Sequence, residues 1–202
     1  MSSRLFTLPV LALGAALLSA SSQAFTVATF ADPSPDGSTP LFTFNSTALT
    51  LDGGYAGTGL TLLTPGWGAP DFADATFTMS TVGLTATGDP DVFDTAGGVL
   101  NFFDSLSNGV MTITFGAGTF VANNGFGGSD FSGQIVSISG PGIPGGWYNE
   151  TFNFSFANPE TNGNLSTYTA AFTSSAVPEP ATMVGLATGL GLLAARRRRN
   201  RA

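Results

Sequence analysis

The chain has 202 residues, with thirteen acids, six cations, no histidine and no cysteine. All six cations sit at the two ends, at Arg4, Arg196, Arg197, Arg198, Arg199 and Arg201, so the stretch between Arg4 and Arg196 carries all thirteen carboxylates and no cation. That stretch cannot displace phosphate counterions, which excludes nucleic acid, phosphorylated ligands and anionic membrane surfaces as its partners.

The first element is a secretory signal peptide, Met1 to Ala24. Arg4 supplies the positive start, Leu8 to Leu18 the apolar stretch, and Ser22-Gln23-Ala24 the small residues before a cleavage site. Cleavage is expected before Phe25. The body, Phe25 to Ala176, is then about 150 residues long, the size of one domain with a core of its own. The lack of cysteine is compatible with export, because a secreted fold of this size needs no disulfides if its core is adequate.

Along the body the apolar residues alternate with Thr, Ser and Asn. Leu41 to Leu51, Ala75 to Ala86, Val110 to Phe115, Gln134 to Ser139, Tyr148 to Phe156 and Tyr168 to Phe172 all read as strands. Each is rich in β-branched or aromatic residues and bounded by Gly, Pro or Asp. The spacing points Met111, Ile113 and Phe115 to one face, and Phe152, Phe154 and Phe156 to another. Loops are expected at Asp32 to Pro40, Thr64 to Asp74, Gly88 to Gly98, Asn123 to Asp130 and Gly140 to Gly146. No stretch of the body has a sustained helical period. The expected fold is all-β, an antiparallel β-sandwich or jelly roll of about nine strands, followed by a C-terminal hydrophobic helix.

The tail, residues 177–202, has three parts in fixed order. Val177-Pro178-Glu179-Pro180 comes first, then the uncharged run Ala181 to Ala195, then Arg196, Arg197, Arg198 and Arg199. Arginines after an apolar run mark the cytoplasmic side of a membrane stop. As a helix the run would reach about 22 Å, short of a hydrocarbon core of about 30 Å, and three glycines weaken it further. It suits a transient signal better than a lasting anchor. The order of the parts resembles the PEP-CTERM protein-sorting signal of Gram-negative bacteria. The resemblance implies recognition and removal of the tail by a membrane-embedded transpeptidase, the exosortase. It also implies a host that makes exopolysaccharide and delivery of the body to the cell surface or beyond.

Catalytic chemistry has little to work with in the body. A serine nucleophile lacks a His or Lys base, and zinc lacks His and Cys ligands. A carboxylate pair of the glycosidase kind is the one enzymatic arrangement left open. Asp89, Asp91 and Asp94 share a loop and form a candidate calcium site, since calcium takes many oxygens from irregular loops. The same residues also serve as turn formers beside Gly88 and Pro90. Trp67 and Trp147 stand among glycines and are candidates for stacking on sugar rings, or equally for plugging the ends of the fold. These features together point to an exported, non-enzymatic surface or matrix protein of structural or adhesive role. The alternative is a carbohydrate- or calcium-binding surface module.

Overall fold

In a computed structural model the chain is described over residues 23–67, 70–129 and 135–178. The expected C-terminal helix, the arginines and nearly all of the signal peptide lie outside the described residues. Within them, Ala24–Val177 forms one compact unit, and no helix is long and apolar enough to cross a membrane.

Period-two burial shows where strands form. The strands are β1 (Phe25–Phe30), β2 (Phe42–Asn45), β3 (Thr50–Tyr55), β4 (Thr76–Met79), β5 (Val82–Ala86) and β6 (Val92–Phe103). They continue with β7 (Gly109–Val121), β8 (Gly125–Ser129), β9 (Val136–Ser139), β10 (Trp147–Asn162) and β11 (Leu165–Pro178). Neighbours pair in the order β2-β3-β5-β6-β7-β8-β10-β11, and β11 pairs back onto β2. The sheet therefore closes on itself as an eight-stranded antiparallel β-barrel in which each strand lies beside the next in the chain.

The remaining elements lie end to end with these. β4 and β5 both pair with β3 and β6, and between them Ser80 keeps the ladder with Val99. The Val99 N–H there donates to Ser80 Oγ at 2.9 Å. β8 and β9 both line β7, and β1 and β2 both line β11.

The barrel corrects the expected sandwich. Alternation says which side chains point inward, but not whether a sheet meets a second sheet or its own far edge. Closure depends on a bend. Along β6 the inward residues are Phe93 and Thr95, then Leu100 and Phe102, so the inward parity switches between them. β7 switches too, from Met111, Ile113 and Phe115 to Phe120, and so does the β4–β5 strand, from Phe77 to Val82 and Leu84. The switch runs across paired strands and keeps their register. Gly97 and Gly98 make it sterically allowed. A Cβ on Gly97 would stand 2.8 Å from the Phe115 carbonyl oxygen, and one on Gly98 would stand 2.8 Å from the Phe115 ring.

The interior is filled by rings. Phe154 packs on Phe42 and Phe172, each at 4.8 Å between centroids, and on Phe77 at 5.8 Å. Phe77 stacks on Phe102 at 5.6 Å, and Phe115 packs on Phe152 at 5.0 Å. Such offset and edge contacts add to the burial of apolar area. Met111, Ile113, Phe115, Phe152 and Phe154 are buried as their spacing predicts, while Phe156 is half-buried against Tyr168.

Several elements differ from expectation. Leu41 to Leu51 is a hairpin rather than one strand, turning at Ser46 to Leu49, with Leu49 at φ 51°. β1, β6 and β8 fall where no strand, or a loop, is expected. The β6 and β8 segments, VFDTAGGVLNFF and GFGGS, are rich in glycine, which is depleted from strands in general.

Candidate functional site

The barrel has two unlike ends. β11 finishes at Pro178 beside the start of β1, with Ala176 opposite Phe25 in the ladder. The β6–β7 hairpin, the Gly140 to Gly146 loop and the Trp67 turn open at this same end, set by the antiparallel registers. The opposite end carries the β10–β11 hairpin and the β5–β6 turn.

Val177 and Pro178 of the expected sorting motif belong to β11; Glu179, Pro180 and the four arginines lie outside the described residues. Ala176 is fully buried and Val177 nearly so, so the chain becomes free of the barrel wall only at Pro178. Proline has no N–H to give a ladder, which ends the strand there. The first residue expected after signal-peptide removal, Phe25, is thus the strand partner of the residue just before the motif.

The two tryptophans lie at the tail end but in different settings. Trp67 is 7% exposed, packs near Phe72, and buries its indole N–H without a hydrogen-bond partner. Trp147 is half-buried and meets the edge of Phe25 at 5.2 Å. Neither offers a fully open ring face.

Asp89, Asp91 and Asp94 are spread out. Asp89 and Asp91 occupy the β5–β6 turn, where Asp89 Oδ1 accepts the Asp91 N–H at 3.1 Å. Asp94 stands on β6 and points outward, opposite Thr119. Among the described residues no group of three or more carboxylates is placed to hold a metal ion.

Asp94 instead borders a groove that the spacing did not reveal. It is an open concavity of about 890 Å³ over β6, β7, β8 and β10, lined among others by Thr119, Gly127, Gly128, Thr151 and Asn153. Its floor is low because β8 reads GFGGS and turns only glycines outward before Ser129. That glycine run was the available signal, though by itself it reads as a loop. The groove carries hydroxyls, two amides and one carboxylate, and no cation. It can exchange hydrogen bonds with a neutral, hydroxyl-rich ligand and has nothing to hold an anion.

Two carboxylates serve the loops themselves. In the β6–β7 hairpin Asp104 accepts from the Asn108 side chain at 2.9 Å and from the N–H groups of Asn108 and Leu106. The Asn108 amide, then its N–H, hold the Asp104 carboxyl below the usual aspartate value. The Ser38 N–H and hydroxyl do the same for Asp36 in the loop after β1. A depressed carboxyl favours the folded chain above the unfolded aspartate pKa of 3.8, and that support is lost as pH falls through the lower folded value.

The last strand of the closed, ring-filled barrel ends at Pro178, inside the stretch read above as a C-terminal sorting signal. The family model described as the PEP-CTERM protein-sorting motif matches residues 176–199 of this chain. The chain carries that motif, which implies export, processing by an exosortase and a transient membrane anchor in the tail. No curated protein and no solved structure matches the chain.

Proposed function

We propose that the barrel is a non-enzymatic structural or adhesive component of the cell surface or extracellular matrix, delivered by its PEP-CTERM tail. One observation carries the reading: the tail leaves a barrel whose interior is packed with phenylalanine, so only its outer wall and ends are open to partners. Fractionation of the native host with intact mass spectrometry tests it. The major species is expected in the matrix or surface fraction, starting at Phe25 and lacking the apolar run and arginines. A major species ending at Ala202 and held in the inner-membrane fraction would sink the idea.

The outer groove favours a second reading, a module that binds neutral polysaccharide. A polyhydroxylated chain suits a wall that offers Thr119, Thr151 and Asn153 beside one carboxylate and no cation. Affinity electrophoresis through a gel containing neutral polysaccharide is expected to retard the protein, with Asn153→Ala restoring its mobility. Unretarded migration of the parent protein rules this reading out.

A further inference from the structure

The end of the barrel from which the tail departs carries the most exposed large apolar side chain among the described residues; Ile135 on the wall and Leu49 and Leu165 at the far end are less exposed. Leu106, at the tip of the β6–β7 hairpin, is 80% exposed, and Leu63 is 41% exposed. Phe25, Phe72, Ile143 and Trp147 pack there as partly buried apolar residues. The hairpin tip is braced by its own bonds: Asp104 takes three donors from the loop, and the Ser107 N–H donates to the Asp104 carbonyl at 3.0 Å. A large aliphatic side chain held out by a braced loop gains free energy when an apolar phase within reach takes it out of water.

The sequence limits what can cover it. Only Glu179 and Pro180 separate Pro178, the last residue of β11, from Ala181, where the apolar run begins. At about 3.6 Å per residue that link spans at most about 11 Å. The headgroup layer on each side of a bilayer is about 5–8 Å deep. With the run inserted, the tail end of the barrel cannot stand clear of the lipid surface.

Charge fits such a seat if the surface is uncharged. Two carboxylates in the loops of this end accept backbone N–H groups, Asp71 from Thr64 at 3.0 Å and Asp104 from Leu106 and Asn108, while Glu150 and Glu179 add negative charge that no cation of the body offsets and that an anionic surface would repel. Leu, Phe and Trp are the residue types that settle at a bilayer interface.

We propose that, while the tail is still in the membrane, this end of the barrel docks on a zwitterionic lipid surface with Leu106 sunk among the headgroups. Docking would hold the region beyond Pro178 against the membrane plane, where a membrane-embedded transpeptidase can meet it. The inference rests on the tail acting as a membrane anchor.

The absence of cysteine makes the test direct, because a single introduced cysteine takes a spin label at one place. Full-length chains carrying Leu106→Cys, Asn162→Cys or Leu190→Cys are reconstituted in phosphatidylcholine vesicles, and label collisions with oxygen and with a water-soluble nickel chelate are compared. Asn162, at the far hairpin, serves as the aqueous reference. The label at 106 is expected to lose nickel-chelate collisions and gain oxygen collisions relative to the label at 162. A membrane-buried label at 190 with 106 as wet as 162 overturns the docking and leaves the anchor standing. A wet label at 190 overturns both. Spin–spin broadening between labels at 106 would show that a second copy covers this end, and would also overturn the proposal.

Discussion

Replacing Phe154 by alanine is expected to lower the melting temperature of the barrel by about 6–20 °C. Phe154 is fully buried and lies against Phe30, Phe42, Phe77, Phe126, Phe152 and Phe172, which come from strands all around the wall. Removing its ring opens a cavity between rigid neighbours that cannot collapse into it. Such truncations cost about 3–5 kcal/mol. For a domain of this size about 2–4 °C is lost per kcal/mol. Thermal melts of parent and variant provide the measurement. An unchanged curve would mean that the side chain faces solvent and that the register of β10 is shifted by one residue.

The second large effect is expected from Gly125→Val in β8. A Cβ at this position would stand 2.2 Å from the carbonyl oxygen of Phe154, an atom of the neighbouring main chain. No rotamer relieves a clash with backbone, so β8 and β10 must separate. Overpacking of this kind costs about 1–3 kcal/mol and sometimes more. Gly83→Val is the matched control, because a Cβ at Gly83 meets nothing within 4 Å and valine favours strands. The control should melt at or above the parent temperature, and Gly125→Val well below it. Equal melting of the two variants would show that β8 does not approach β10 as closely as its pairing of Gly125 with Ser155 requires.

These two variants probe the wall and filling of the barrel, and both bear on function indirectly. A body with twelve carboxylates and no cation has no internal ion pairs to lean on. Its stability rests on ring packing and backbone ladders, while its own charge opposes compaction at low salt. The long strands β6, β7, β10 and β11 run the length of the wall, and β11 closes it by pairing with β2. The region read as a sorting signal begins where the last of them ends.

The addressing and the strand faces could be read directly from the sequence. Pro178, Glu179, Pro180, the apolar run and the arginines are contiguous, so their meaning survives without a fold, and the motif match at residues 176–199 bears it out. Phe152 and Phe154, like Met111, Ile113 and Phe115, declare their face because alternation is local. The all-β class followed from the same period. Tertiary structure alone decided that the sheet closes into a barrel, because closure is a meeting of β11 with β2, more than a hundred residues apart in the chain. It also decided that glycine-rich segments such as GFGGS are strands rather than loops: their value lies in the backbone that must pass close by, which no local pattern records. For the same reason Asp89, Asp91 and Asp94, near neighbours in sequence, part company at the start of β6, where a strand sends adjacent side chains to opposite faces. The groove of Asp94, Thr119 and Asn153 is assembled over β6, β7, β8 and β10, which only the pairing of the sheet brings side by side.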